Sequence, residues 1–371
     1  MLENRGISSE SPRRPQLTAD PAGHICHAPD VTEEPEIHSA VDLCDVRGRL
    51  APAARGWSRH PLHRANLRGN SGRKKRWDYW AVITPQVIAS VTYADVDYIG
   101  LATLWVLDRE TGRQGGSTLM RPFGRGFDLP EQPCTGSMRV RSRKVAVDIV
   151  DESAATRLLA SVGRGDHAAS LDVSVDRPAD HETMNVVIPW SDRRFQYTSK
   201  QTARPARGTI TLGTRTWTFD GADDDAWGVL DLGRGIWPYR NRWNWAAAAG
   251  HATDGAIVGL QFGGKWTEGT GFTENALCID GRLSKIGEEL EWSYSWDDPM
   301  SPWHVRTRGS DQVDVTLTPT FDRHDRTSVG VLSMEVHQCF GTWSGVIRGD
   351  DGVAHTINGV QGFAEEARNR W

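Results

Sequence analysis

The 371-residue sequence lacks long hydrophobic runs, and this absence excludes several classes of protein. No stretch approaches the roughly 18 consecutive apolar residues that a membrane span requires. The amino-terminal residues MLENRGISSESPRRP contain no apolar segment of the kind found in a secretory signal. We therefore predict a cytoplasmic protein with no transmembrane span.

Positive charge is also in short supply, because 43 lysines and arginines face 48 aspartates and glutamates. The net charge of −5 excludes a globally basic nucleic-acid-binding protein, so we expect no nucleic-acid partner. The sequence has no P-loop, no Gly-x-Ser-x-Gly nucleophile elbow and no dinucleotide fingerprint. We predict no cofactor.

Cysteine is scarce and widely spaced. The odd number of cysteines argues against a disulfide framework: they are Cys26, Cys44, Cys134, Cys278 and Cys339. His24 and His27 lie close to Cys26, but a zinc site needs about four converging ligands and this tract is irregular. We predict ordinary thiols and no metal. His337 and Cys339 are next-but-one neighbours on a predicted strand, so they share a face without touching, and we expect no Cys-His nucleophile.

Two segments near the amino terminus depart from the average composition. Residues 1–40 contain five prolines and no hydrophobic period, so we predict a disordered arm. Residues 47–76 hold ten basic side chains and no acidic one. They form either a patch for an anionic partner, such as a phospholipid surface, or a solvated segment whose charges pair with acids elsewhere. We favour the second interpretation, with peripheral membrane contact as the alternative.

From residue 77 onward the sequence has the pattern of a β protein. Short segments rich in Val, Ile, Tyr and Trp alternate with turn residues, and only 154–162 and 244–249 have a helix-friendly composition. Four Asp-Gly pairs predict tight hairpin turns: Asp220-Gly221, Asp254-Gly255, Asp280-Gly281 and Asp351-Gly352. We predict an all-β fold of two consecutive antiparallel barrel or sandwich domains, at 41–204 and 205–371, with a seam near Pro205.

Tryptophan is abundant, with 16 residues, and is densest at 237–245 in the sequence WPYRNRWNW. Trp243 and Trp245 are two positions apart, so they would share one face of a strand. Large rings beside polar groups are typical of a concave binding pocket. In that interpretation Trp237, Trp243 and Trp245 form the apolar wall, and polar side chains fix the ligand: Arg240, Asn241 and Asn244. In the alternative, the rings close one end of a barrel and have no ligand.

Two carboxylates stand out as candidate general acids. Asp231 lies just before the tryptophan-rich segment, and Glu274, followed by Asn275, interrupts an otherwise apolar segment. If either carboxyl is unpaired in an apolar cavity, its pKa rises and it can donate a proton near neutral pH. If it pairs with Arg234 or Arg240, it is structural, and this is the commoner outcome.

Several long segments resemble the markers of domain-of-unknown-function family 2804. These are residues 75–80 (KRWDYW), 188–190 (IPW), 194–200 (RFQYTSK), 231–244 (DLGRGIWPYRNRWN), 273–287 (TENALCIDGRLSKIG) and 340–345 (FGTWSG). The resemblance covers residues 43–371, and the family has no established activity. More distantly, the pattern is similar to two-barrel lipocalin-like proteins, which include carotenoid hydratases, lipocalin-like cyclases and lipid carriers. The resemblance implies a pair of lipocalin-like β domains.

Two functions follow as expectations. The first is a binder of an apolar small molecule, such as a lipid or isoprenoid, with Gln196, Asn241, Asn244 and Asn275 among its polar contacts. The second is a hydratase, isomerase or cyclase acting on an unsaturated apolar substrate. In that enzyme Asp231 or Glu274 would donate the proton, and Arg240 or Lys200 would hold a polar substrate tail. A weaker third interpretation is carbohydrate binding on an exposed tryptophan platform.

Overall fold

The computed structural model describes residues 32, 34–329 and 332–370. These residues form no α-helix; their helical segments are three short 3₁₀ turns, at Pro52–Ala54, Gly165–His167 and Gly221–Asp224. None of the described helical segments has the length and apolarity needed to cross a membrane. The chain is built instead from β-strands, and the all-β prediction is confirmed.

The strands are numbered in chain order. They are β1 (Val41–Asp42), β2 (Trp57–Ser58), β3 (His63–Arg64), β4 (Lys74–Ile83), β5 (Val87–Asp95), β6 (Ile99–Asp108), β7 (Gln114–Pro122), β8 (Ser137–Arg141), β9 (Val145–Asp151), β10 (Ala155–Val162), β11 (Ala169–Asp176), β12 (Met184–Ile188), β13 (Phe195–Leu212), β14 (Arg215–Asp220), β15 (Trp227–Ile236), β16 (Arg240–His251), β17 (Ile257–Gly264), β18 (Ala276–Ile279), β19 (Arg282–Lys285), β20 (Glu291–Ser293), β21 (Trp303–Arg306), β22 (Val313–Val329), β23 (Leu332–Arg348) and β24 (Ala354–Arg370).

Two large sheets contain nearly all of these strands. Sheet 1 has 13 strands, with the main order β7-β6-β5-β4-β15-β13-β11-β10-β9-β8, and β2, β12 and β14 pair beside it. It curls so that β6 contacts β9, β10 and β11, and its concave face encloses one apolar core. Sheet 2 has nine strands in the order β19-β18-β17-β16-β24-β23-β22-β21-β20 and encloses a second core.

The outer faces of the two sheets pack against each other and form a third layer. Strand residues alternate between faces, so each central strand contributes one set of side chains to its own core and the other set to this inter-sheet layer. In β15, Leu230 belongs to the core of sheet 1, whereas Val229 packs between the sheets. In β16, Ala246 belongs to the core of sheet 2 and Trp245 packs between the sheets. Strand β15 is therefore buried along its whole length.

Three of the four predicted Asp-Gly hairpins form, at residues 254–255, 280–281 and 351–352. Asp280 and Gly281 have φ values of 47° and 79°, the left-handed pair that a two-residue hairpin favours. Asp220-Gly221 instead leads into the Gly221–Asp224 turn, because β14 pairs with β13 and not with β15. The two helix-friendly segments are both strands, since each lies between two paired neighbours in a sheet.

The change from sheet 1 to sheet 2 occurs between Ile236 and Arg240. The predicted seam at Pro205 lies inside β13, at a register shift between Gln201 and Arg204. Pro205 follows this bulge and pairs with Trp227, at a position where the pairing of β13 with β11 has ended. The division at residues 204 and 205 into separate folding units stays a prediction.

Most of the predicted amino-terminal arm, with the His24 to His27 tract, lies outside the described residues. Its last part is described and contacts the sheets, since the Glu34 carboxylate pairs with Lys285 Nζ at 2.7 Å. Five basic residues of the 47–76 segment are ion-paired with acids: Arg49, Arg59, Arg64, Lys74 and Arg76. Pairs of this kind are what the solvated-segment interpretation expects, and peripheral membrane contact through this segment stays a prediction.

Candidate functional site

The candidate site is a cluster of charged side chains buried in the inter-sheet layer. Lys200 of β13 lies at its centre, with Nζ 2.9 Å from an Asp231 oxygen and 3.3 Å from a Glu274 oxygen. The ammonium group also lies 4.3 Å from the ring centroid of Trp245. Burial by itself would lower the pKa of Lys200, but the two carboxylates outweigh it and raise this pKa above its ordinary value. Lys200 is therefore a buried cation held by two anions.

Each carboxylate of the cluster accepts a hydrogen bond from an indole. Trp77 Nε1 donates to Asp231 at 3.1 Å, and Trp266 Nε1 donates to Glu274 at 2.8 Å. Glu274 fits closely because residue 263 is a glycine: a Cβ there would lie 2.2 Å from a Glu274 oxygen. Burial raises the pKa of Glu274, although Lys200 opposes the shift.

A third buried carboxylate, Glu365 of β24, completes the cluster from sheet 2. Trp243 Nε1 donates to one oxygen at 2.8 Å, and Gln338 Nε2 donates to the other at 2.9 Å. No lysine, arginine or histidine among the described residues lies within 4.0 Å of this carboxyl. Burial raises the pKa of Glu365 to about 7, while the bond from Trp243 opposes the shift. Glu365 can therefore both hold and release a proton at neutral pH.

The cluster retains contact with water. Asp231 keeps 9% and Glu365 7% of its surface exposed, although both point between the sheets. The rings of Trp77, Tyr79 and Trp243 around them are only half-buried. The edge of the cluster is therefore not completely sealed from solvent, although neither Asp231 nor Glu365 lines one of the two cavities described below.

The tryptophans predicted to wall a chamber are packed against other rings. Trp237 stacks on Trp266 at 5.2 Å between centroids and also contacts Trp77, Trp190 and Trp243. Trp245 packs on Tyr79 and Phe363. Trp243 and Trp245 share the inter-sheet face, as their spacing predicts.

Two cavities lie beside this layer, and their linings differ from the expected apolar chamber. The larger, of about 960 Å³, has Arg240, Asn241, Trp190 and Trp266 in its wall, with several further charged groups. The smaller, of about 490 Å³, includes Asn244 and opens toward the core of sheet 2. Trp237, Trp243 and Trp245 line neither of them.

The remaining sequence-predicted residues have structural partners. Gln196 Oε1 accepts the indole proton of Trp237 at 2.7 Å. Asn275 bridges two backbone groups, those of Gly263 and Glu288, at 2.7 and 3.0 Å. Asp231 is paired with a cation, as in the structural alternative, but the cation is Lys200 and neither Arg234 nor Arg240. Residues 231 and 234 lie on opposite faces of β15, so Arg234 points into the core of sheet 1 and pairs with Asp78 at 2.6 Å.

One group of described residues has the composition of a metal site, on the β22–β23 hairpin. Ligand atoms of His324, Glu335 and His337 lie within 4.8 Å of one another. His324 Nε2 is 3.2 Å from Glu335, and His337 Nδ1 is 2.7 Å from Asp322. Hydrogen bonds within the hairpin are enough to account for these contacts. The expectation that the protein holds no metal stays a prediction.

Comparison with known proteins identifies the family. The profile of the family described as "Domain of unknown function (DUF2804)" matches residues 34–371. The chain belongs to the DUF2804 family. The resemblance drawn from the sequence motifs is thereby confirmed. No curated protein sequence matches this DUF2804 chain.

Several solved structures align with the DUF2804 chain over most of its length at low identity. A candidate AttH protein from Nitrosomonas europaea aligns at 13% identity with a TM-score of 0.45, covering 81% of this chain and 93% of that one. Kievitone hydratase from Nectria haematococca aligns at 11% identity with a TM-score of 0.44, covering 83% of this chain and 91% of that one. CghA with Sch210972 aligns at 10% identity with a TM-score of 0.40, covering 81% of this chain and 89% of that one. These similarities are too weak to assign an activity to the DUF2804 chain.

The sequence reasoning missed Glu365, together with its partner Gln338 and the Tyr79 hydroxyl that bonds to Gln338. Tyr79 and Gln338 hydrogen-bond each other, with the hydroxyl 3.3 Å from Gln338 Oε1. The available signal was the pair Glu365-Glu366 within an otherwise small and apolar stretch, GFAEEA. On a strand, one of two consecutive acids must face each side, and in a central strand both sides are buried.

Proposed function

We propose that this protein is an enzyme that transfers a proton to an unsaturated small molecule bound between the two sheets. The observation that carries the proposal is the Glu365 carboxyl, which is buried, has neutral hydrogen-bond donors and has a pKa of about 7. A group of this kind is protonated in a useful fraction of molecules at neutral pH, as a general acid requires.

The neighbouring groups support the other half of the reaction. The Glu365 proton would add to one carbon of a double bond, leaving the adjacent carbon positive. The faces of Trp77 and Trp243 would stabilise that cation. Asp231, held by Lys200, would then accept a proton, either from a neighbouring carbon in an isomerisation or from an attacking water in a hydration. The reaction class agrees with the hydratase, isomerase or cyclase expected from the sequence.

Isotope incorporation tests this proposal. The protein is incubated in D₂O with a panel of unsaturated isoprenoids, and deuterium uptake or water addition is read by mass spectrometry. We expect incorporation by the wild type that declines above about pH 7, as Glu365 loses its proton. The E365Q variant removes the proton donor and should lose incorporation.

The matched control is E152Q, which changes an exposed glutamate in another part of the fold and should behave as the wild type. The proposal fails if E365Q retains wild-type incorporation. It also fails if no member of the panel takes up deuterium.

The second candidate function is non-catalytic binding of a lipid or isoprenoid. The cavity of about 490 Å³ favours it, because Leu290, Trp292 and Trp296 give it an apolar and aromatic part. A carrier would bind the isoprenoid panel equally well as wild type and as E365Q, with no isotope incorporation by either. Native mass spectrometry of freshly purified protein would then reveal co-purified lipid.

A further inference from the structure

The tetrapeptide Arg-Asn-Arg-Trp occurs twice in the sequence, at residues 240–243 and 368–371. The Arg-Asn-Arg parts of the two copies lie on neighbouring antiparallel strands, β16 and β24. The register places Arg240 opposite Arg370 and Arg242 opposite Arg368. Because next-but-one residues share a face, all four guanidinium groups project from one side of the sheet. Opposed positions are about 5 Å apart and next-but-one positions about 7 Å apart, so the four charges form a compact patch.

This arrangement is electrostatically unfavourable unless an anion is present. Like charges directly opposite each other destabilise a sheet. Glu366 compensates part of the charge, since one of its oxygens lies 2.7 Å from both Arg242 and Arg368. Although burial opposes it, hydrogen bonds from Arg368, Tyr294 and Arg242 lower the pKa of Glu366 to about 2. This single carboxylate is therefore fully ionised and shared.

Arg240 and Arg370 have no such compensation. Both are exposed, and no acidic side chain among the described residues lies within 4.0 Å of either guanidinium group. Their Nη atoms are thus the donors with least competition from the protein. The residual positive charge is concentrated at this end of the two strands.

The patch lies in the wall of the cleft of about 960 Å³. Six basic side chains line this cleft against two acidic ones, Glu268 and Glu335: the basic ones are Arg240, Arg242, Lys265, Arg326, Arg368 and Arg370. The chain as a whole has a net charge of −5, so this local excess is opposite in sign to the protein. The rings of Trp190 and Trp266 complete the wall. A cleft of this size suits a small molecule rather than an extended polymer.

We propose that this cleft binds an amphiphilic small molecule through a phosphate or diphosphate head group. Planar guanidinium groups match phosphate oxygens in a bidentate manner, and a cluster of several arginines favours a group with more than one negative charge. A single carboxylate would neutralise only one of the four arginines. The apolar body of the ligand rests against Trp190 and Trp266. Lys265 and Arg368 line both this cleft and the smaller cavity, so the two spaces adjoin each other.

The inference is independent of proton transfer at Glu365, which lies on the opposite face of β24. It adds an anionic head group to the ligand of the carrier hypothesis. An uncharged ligand with the same apolar body separates the head-group proposal from the carrier hypothesis, because the carrier hypothesis alone needs no phosphate.

The experiment compares four probes by isothermal titration calorimetry: geranyl diphosphate, geraniol, geranic acid and inorganic pyrophosphate. We expect geranyl diphosphate to bind at least tenfold more tightly than geraniol or geranic acid, with an affinity that falls as salt concentration rises. The R240Q/R370Q variant should bind geranyl diphosphate at least tenfold more weakly than the wild type, and its affinity for geraniol should be unchanged. Because it removes a repulsive pair, the same variant should not lower the melting temperature without ligand.

The matched control is R139Q/R143Q, which removes two exposed arginines from sheet 1 and its adjacent loop. It has the same net charge as the test variant and should keep wild-type affinity. Equal weakening in both variants would overturn the proposal, because the effect would then be one of overall charge. Equal affinity for geraniol and geranyl diphosphate, or no binding of the diphosphate, would overturn it as well. Equal affinity for geranic acid would refute the phosphate class.

Discussion

Replacing Lys200 by Met removes the cation that touches both Asp231 and Glu274, while keeping the length of the side chain. Lys200 is 5% exposed and Glu274 is 1% exposed, so water screens these charges poorly. Removing one partner of a buried ion pair costs about 3–5 kcal/mol, because the other charge stays buried without compensation. We expect a loss of this size in the free energy of unfolding of K200M at pH 8.

The loss should depend on pH in a defined direction. Burial places the pKa of Glu274 above its ordinary value of 4.5 in the folded protein, so the folded state favours the protonated form. Stability from such a group is present at low pH and is lost as the pH rises through the folded pKa. Without Lys200 the pKa of Glu274 rises further, since the opposing cation is gone. K200M should therefore be much closer to the wild type at pH 5 than at pH 8.

Urea unfolding followed by tryptophan fluorescence at the two pH values measures this difference. The double variant K200M/E274Q should recover part of the loss at pH 8, because it removes one of the two stranded carboxylates. K144M, which changes an exposed lysine, should stay within about 0.5 kcal/mol of the wild type. An equal loss for K200M at pH 5 and pH 8 would refute the account of the cluster as a charge-compensated site.

Three further predictions concern other parts of the molecule. Since burial moves the pKa of Glu365 from 4.5 to about 7, E365Q should be more stable than the wild type by up to about 3 kcal/mol at pH 8.5 and nearly equal to it at pH 5, in paired thermal melts. Trp237→Ala removes the ring stacked on Trp266 and should cost about 3–5 kcal/mol in urea unfolding, whereas a smaller loss would mean that the layer closes over the gap. Maleimide labelling with peptide mass spectrometry should modify half-buried Cys134 in the native protein, and Cys278 only after unfolding, because burial raises the pKa of Cys278 to about 12. Early labelling of Cys278 would contradict its placement.

The fold class was accessible from the sequence because period-2 alternation and turn chemistry are local properties. The Asp280-Gly281 hairpin shows this well, since its two left-handed residues are encoded where they act. The sheet order was not accessible. Strand β4 pairs with β15, and β16 pairs with β24, across separations of more than 100 residues. Such pairings depend on which faces bury each other, and no local pattern specifies them.

The same limit applies to the side-chain pairings at the site. Lys200 was selected as a contact for a substrate tail, but its position opposite Asp231 in the β13–β15 register makes it the counter-ion of the carboxylates. Arg234 was a plausible partner for Asp231 by distance along the chain, yet the alternation of β15 sends the two side chains to different layers. The odd or even position of a residue in the strand decides which layer its side chain enters, and so which partner it meets. The sequence shows this alternation, but it does not show that both faces of the strand are covered.

Strand β24 shows how far this parity argument reaches. Glu365 and Glu366 are adjacent, chemically identical and both buried, but their pKa values move in opposite directions, to about 7 and about 2. Glu366 faces the side that carries Arg242, Arg368 and Lys265, whereas Glu365 faces indole and amide donors that carry no charge. A shift of the register between β16 and β24 by one residue would exchange these environments. The register of β16 and β24 therefore has two consequences: it brings the two Arg-Asn-Arg segments together at the basic cleft, and it places the Glu365 carboxyl on the inter-sheet side.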